Sequence, residues 1–203
     1  MEFQKFEKIV TENFGSIIGK PKLWKNVSIN IKKKASHFIF SESAKVENLN
    51  FIDFGGNNTI SIGKNSKLTG LVKLGSNSKL EIGEDFTCTG NVKIHIAEET
   101  TLKIGDDCMF GLDVNIYTHD YHVILDKETN SRINKSKNIT IHNHVWIGNS
   151  ATILKGCEIG DNSVIGAYSV LTKSIPNSTI AAGNPAKIIR KGISWTRESL
   201  TSI

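Results

Sequence analysis

Ile141-His142-Asn143-His144-Val145-Trp146-Ile147-Gly148-Asn149-Ser150-Ala151-Thr152-Ile153-Leu154-Lys155-Gly156-Cys157-Glu158-Ile159-Gly160-Asp161-Asn162-Ser163-Val164-Ile165-Gly166-Ala167-Tyr168-Ser169-Val170-Leu171 is the stretch that decides the fold. An aliphatic residue returns every six positions, at Ile141, Ile147, Ile153, Ile159, Ile165 and Leu171. Four residues after each stands a second small or apolar side chain: Val145, Ala151, Cys157, Ser163, Ser169 and Ile175. An amphipathic helix would repeat near 3.6 residues, so this rhythm excludes one. It suits a short strand with alternating side chains, followed by a tight corner. Gly-Asp-Asn and Gly-Asn-Ser supply the corners, because these residues tolerate unusual backbone angles. Three such strands close a coil of 18 residues, and stacked coils bury one aliphatic column per face. The pattern therefore predicts an all-β parallel β-helix. It leaves the handedness open, and right-handed crossovers are the general rule.

The rhythm weakens upstream but persists in three phases: Ile62-Gly63, Leu68 and Leu74-Gly75; Ile82-Gly83, Cys88 and Ile94; Ile104-Gly105, Phe110 and Ile116. Each change of phase implies an insertion at a corner. Residues 120–138 have no hexad phase and are polar, so they read as a loop extruded from a corner. Phe3, Phe6, Val10, Phe14 and Ile17 recur at helical spacing and predict a capping helix over residues 2–18. Pro176 and Pro185 bracket the last expected strand, and Ser194 to Glu198 reads as the start of a short terminal helix. The expected organisation is a helical cap over 1–24, a β-helix domain over 25–190 and a C-terminal tail over 191–203.

Composition narrows the class. The 203 residues are 38% hydrophobic and 22% charged, with net charge +5, which suits a soluble globular chain. No apolar run reaches the roughly 18–20 residues of a membrane span. The N-terminal residues lack the features of a secretory signal, which makes a cytoplasmic location the expectation. Three widely spaced cysteines, Cys88, Cys108 and Cys157, fit reduced thiols better than a disulfide framework. The one dense basic run, Lys32-Lys33-Lys34, lacks the interleaved aromatics of a nucleic-acid platform, so no nucleic-acid partner is expected.

His144-Val145-Trp146-Ile147-Gly148, the hexad run from Ile159 to Ala167, and Ala181-Ala182-Gly183-Asn184-Pro185-Ala186-Lys187 resemble the hexapeptide-repeat acyltransferases. The final fifty residues look like the branch that O-acetylates galactosides, maltose and surface polysaccharides. The resemblance implies left-handed coils, a homotrimer with active sites between subunits, acetyl-CoA as co-substrate, and a saccharide acceptor. Its expected chemistry is O-acetylation of a bacterial surface saccharide: capsule, O-antigen or a sialic-acid-containing glycan. N-acetylation of an amino sugar uses the same cleft and stays open. So does a zinc hydratase of the carbonic-anhydrase type, which would need three converging histidines.

Acetyl transfer to a hydroxyl requires a base, and one placed imidazole suffices against a thioester. Tyr117-Thr118-His119-Asp120-Tyr121-His122 offers two. On the branch's Ser-Asp-x-His template His122 is the base, His119 takes the serine position, and Asp120 orients an imidazole or holds a sugar hydroxyl. The resemblance places Trp146 at the acceptor and acetyl cleft, with an aromatic girder between subunits as the other reading. Asn91 and Tyr121 are further acceptor-side candidates, Asn91 with a plain corner role as the competing reading. By the same resemblance Gly148, Asn149, Ser150, Ala167 and Ala182 would line the pantetheine groove. Thr172, Lys173, Lys187 and Arg190 would meet the adenine nucleotide. No resident metal is expected.

Overall fold

The computed structural model describes residues 1–33 and 35–198. Lys34 of the basic run and the last five residues of the expected tail lie outside the described residues. The chain is a left-handed parallel β-helix of about seven turns, with one helix among the described residues, at its N-terminal end. Among the described residues its three faces are sheets of seven, six and seven strands, parallel except for one antiparallel strand that ends the six-stranded face. The first face runs from Ser16–Ile18 to Glu158–Ile159 through Lys79–Ile82, Thr101–Ile104 and Ile139–Ile141. The second holds Thr87–Gly90, Met109–Leu112, Trp146–Ile147, Val164–Ile165 and Thr179–Gly183. The third stacks Leu23–Ile31, Lys45–Asp53, Lys67–Leu74, Val92–Ile96, Asn115–Tyr117, Thr152–Leu154 and Val170–Leu171.

The hexad reading is realised in the registers. Ile82, Ile104, Ile141 and Ile159 align on the first face, Cys88, Phe110, Ile147 and Ile165 on the second, and Ile94, Ile116, Ile153 and Leu171 on the third. All are buried. Burying one such side chain contributes about 1.5–3 kcal/mol, and the columns repeat that gain at every coil. The second column of the hexad, from Val145 to Ile175, is buried as well.

Corners need left-handed backbone angles, and polar residues adopt them. Asn91, Asp113, Ser150 and Tyr168 hold φ of 56–58° where the second face turns into the third. Asn91 Nδ2 donates to Asp113 Oδ1 at 3.1 Å, a rung between coils. Its observed place is this corner, whereas His119 and His122 follow the third face at the next one.

Three expectations are corrected. The N-terminal helix covers Phe3–Glu12, not residues 2–18. It ends because Phe14 turns left-handed at φ 59° and Gly15 passes so close to the coil that a Cβ would sit 2.2 Å from the Ser36 carbonyl oxygen. Ser16–Ile18 is then already a strand, paired with His37–Phe40. Phe3, Phe6 and Val10 are buried, and Phe6 packs on Trp24 and Phe38, which closes the open end of the core. Second, a hairpin stands where one final strand was expected: Ala186–Lys191 returns antiparallel on Thr179–Gly183. Third, Ser194 to Glu198 is not helical. Trp195 stacks on His144 with centroids 4.1 Å apart, and Arg197 Nε reaches Asp107 Oδ1 at 2.6 Å, so the segment lies along the solenoid. All three cysteines are free and buried. No described helix is long and apolar enough to cross a membrane.

Candidate active site

The extruded loop leaves the third face after Tyr117 and rejoins the first at Ile139. Leu125 and Arg132 form an antiparallel bridge around a turn in which Asp126 Oδ1 accepts from the backbone of Glu128 and Thr129. Asn134, only 8% exposed, organises the base of the loop. Its amide nitrogen donates to the His122 carbonyl at 2.7 Å and to Asp120 Oδ2 at 3.0 Å, while its Oδ1 accepts from Ile124 N at 2.8 Å. Lys155, on the neighbouring coil, donates to Asp120 Oδ2 and, at 3.0 Å, to the Asn134 carbonyl. Partial burial opposes ionisation of Asp120, but hydrogen bonds from Lys155 and Asn134 win and hold its carboxyl below the usual range. Further out, Arg132 grips Glu98 through two bonds of 2.7 and 2.8 Å. Those bonds and Ser136 bring the Glu98 carboxyl down to about 2.

The histidines now separate by what their rings hold. The backbone N–H of Tyr121 donates to His119 Nδ1 at 3.1 Å. A neutral imidazole has one acceptor nitrogen, so His119 carries its proton on Nε2 and has no lone pair left for a base. Burial pushes its pKa down. His37 meets Ser16, His95 meets Tyr121, and His142 Nε2 lies 2.7 Å from Glu158 Oε1. His144 is held by Asp107 and the Trp195 carbonyl. Of the six histidines, His122 alone has a ring without a hydrogen bond among the described residues. His119, His122, Tyr121, Ala97 and Arg132 line a cavity of about 190 Å³. A second, of about 310 Å³, shares His119, Tyr121 and Ala97 and adds Phe54, Lys73 and His95.

The other half of the expected site lies on the second face. Trp146, Gly148, Asn149, Gly166 and Ala167 line a groove of about 260 Å³. Its floor is kept low by small residues: a Cβ on Gly148 would sit 2.6 Å from Ala167 N, and one on Gly166 would sit 2.8 Å from Ala182 Cβ. Trp146 is 40% exposed above it.

The description "Bacterial transferase hexapeptide (six repeats)" matches residues 138–173. The polysialic acid O-acetyltransferase of Neisseria meningitidis is 41% identical over 145 residues, 71% of this chain and 67% of that protein. The chain belongs to the hexapeptide-repeat transferases. A polysialic acid O-acetyltransferase of Escherichia coli O1:K1 is 36% identical over 68% of this chain and 45% of its own length. The chain spans about half the length of several curated relatives it matches. The crystal structure of the polysialic acid O-acetyltransferase OatWY superposes with a TM-score of 0.77 at 32% identity, over 93% of this chain and 94% of that one.

Within this hexapeptide-repeat transferase the expected site residues fall into separate groups. His119, Asp120, Tyr121 and His122 come together on the loop. Trp146, Gly148, Asn149 and Ala167 share the groove, with Ala182 packed against its floor. Asn149 spends its side-chain oxygen on Leu112 N at 2.9 Å, and Ser150 is a corner residue. Lys187 pairs with Ala182 on the terminal hairpin, and Arg190 with Ile180. Both side chains are exposed and without ion pairs among the described residues. Thr172 and Lys173 follow Val170–Leu171 on the third face, away from the groove of the same chain. Asn134, Lys155, Arg132 and Glu98 escaped the sequence reading. Their one signal is charge and amide content inside and beside a structureless loop. Among the described residues no three metal-type side chains converge.

Proposed function

We propose that the chain is an acetyl-CoA-dependent O-acetyltransferase that esterifies a hydroxyl of a bacterial surface saccharide, with His122 as general base. One observation carries this: among the described residues His122 is the single histidine whose ring is uncommitted, and Asn134 fixes its backbone at the mouth of a cavity. Its imidazole takes the hydroxyl proton as the sugar oxygen attacks and returns it to the departing sulfur. Acetyl-CoA supplies the activated acyl group. The shallow groove beside Trp146 fits a thin amide arm, and Lys187, Arg190 and Lys173, without ion pairs among the described residues, are cations of the kind phosphates recruit. Polysialic acid, named for the relatives, is an anionic polymer, and the net charge of +5 suits such an acceptor.

Loop and groove occupy different faces of one chain, so a homotrimer that sets the His122 loop of one subunit against the Trp146 groove of the next completes the site. Exposed Val123, Ile124, Leu125 and Ile133 give that loop an apolar surface for its neighbour. Use of acetyl-CoA, a thioester of the cell interior, suits a reaction in the cytoplasm. The test is a panel of purified saccharides incubated with acetyl-CoA, following free thiol and locating the new ester by NMR. Thiol release dependent on a saccharide supports the reading, and none across neutral and acidic glycans overturns it.

A further inference from the structure

His95 stands at an outward position of its strand, between the core residues Ile94 and Ile96, where water would be its ordinary neighbour. It is nevertheless 6% exposed. The rings of Tyr117 and Tyr121 cover it edge-on at 5.0 and 5.6 Å. Tyr121 holds a left-handed backbone, φ 64°, which is rare for a bulky residue and sits between the two loop histidines. His95 Nδ1 is hydrogen-bonded to the Tyr121 hydroxyl, and His95 Nε2 is sealed from water with no partner among the described residues.

The ring can bond the phenol in two ways. A proton on Nε2 would leave a buried N–H without an acceptor, whereas a proton on Nδ1 leaves only an idle lone pair. Buried orphan N–H groups are the rarer of the two. The Nδ1–H form therefore wins, and the phenol oxygen is the acceptor. Resting on the acetyltransferase reading above, we infer that His95 and Tyr121 act as a pair: His95 Nδ1–H holds the phenol oxygen, and the phenol O–H is left to donate to an oxygen of the saccharide acceptor. Tyr121 is 58% exposed; its hydroxyl lies at His95, beside the cavity that both residues line with His119, and Tyr121 also borders the neighbouring cavity lined by His122. Accepting one bond polarises the phenol and strengthens the one it donates. Burial, with Lys73, His119 and Lys93 nearby, pushes His95 down to about 4, which keeps the ring neutral as the pair requires.

Two measurements on the full-length protein test this. Long-range proton–nitrogen NMR, with His95 assigned through its disappearance in His95→Asn, should show the proton on Nδ1; a proton on Nε2 overturns the pair. In kinetics, Tyr121→Phe should lose about ten- to a hundredfold in kcat/KM for the saccharide, with acetyl-CoA affinity unchanged. His95→Leu should lose as much, the double variant no more than either, and His95→Asn, with an amide N–H where Nδ1 stood, should recover most. A Tyr121→Phe protein at the wild-type rate, or additive losses, overturns the donor role. A wild-type protein that acetylates no saccharide overturns the functional reading and the acceptor role with it, while the NMR result still decides the hydrogen bond.

Discussion

The side-chain amide of Asn134 donates to the backbone carbonyl of His122 at 2.7 Å. That bond fixes the main chain while the His122 imidazole has no hydrogen bond among the described residues, and the loop is otherwise pinned on either side by Asp120–Lys155 and Glu98–Arg132. The freedom left at this position lies in the two side-chain torsions of His122.

His122→Ala should therefore lower kcat by about 10²–10⁴-fold without weakening acetyl-CoA binding. His119→Ala should cost much less, because its Nδ1 is already occupied by Tyr121 N. Steady-state kinetics with calorimetry of acetyl-CoA binding checks both. A dead His119→Ala beside an active His122→Ala would reassign the base.

Asn134→Ala removes the bonds to His122 O, Asp120 Oδ2 and Ile124 N together. The loop lies outside the coil stack, so the melting temperature should barely move. Turnover should fall at least about tenfold, since each lost buried bond costs about 1–3 kcal/mol of loop order. Hydrogen exchange should quicken in residues 120–138 and nowhere in the hexad core.

How much of this could be read from the chain depends on range. From Ile141 to Leu171 each coil is 18 residues with one aliphatic per face, so spacing alone announces the architecture. Toward the N-terminus the strands Leu23–Ile31 and Lys45–Asp53 run nine residues through a corner at Asn26 and Asn48. Their coils are longer, Phe38 to Ile60 being 22 residues, and the six-residue beat dissolves although the stacking persists. The expected helix runs too long because Phe14 and Ile17 keep helical spacing while serving a turn and a strand. His119 and His122 are indistinguishable in a motif. They part only through Tyr121 N, a backbone atom with no letter in the sequence. Glu98 and Arg132 are 34 residues apart, and nothing in local composition joins them.

The His95 ring gives the stability a pH dependence. Its pKa is about 4 in the fold, against 6.5 for an unperturbed histidine side chain. Between these values the unfolded chain binds more protons, so stability rises with pH there. The contribution is complete above about 6.5 and is lost as pH falls toward about 4. Melting curves across this range should show the native slope reduced in His95→Asn. An unchanged slope would mean that other groups carry it.

Subunit mixing tests the proposed shared site most directly. His122 and Trp146 sit on different faces of one chain, so within a trimer each site would take its base from one protomer and its groove from the next. His122→Ala and Trp146→Ala homotrimers should both be inactive or nearly so. Co-refolded mixtures should regain activity, because one variant's intact loop meets the other's intact groove at some interfaces. Binomial assortment at equal ratio gives one site in four with both residues intact, so recovery should approach a quarter of the wild-type rate. Sites contained within single chains would show no recovery at any ratio, since every chain would lack one of the two residues.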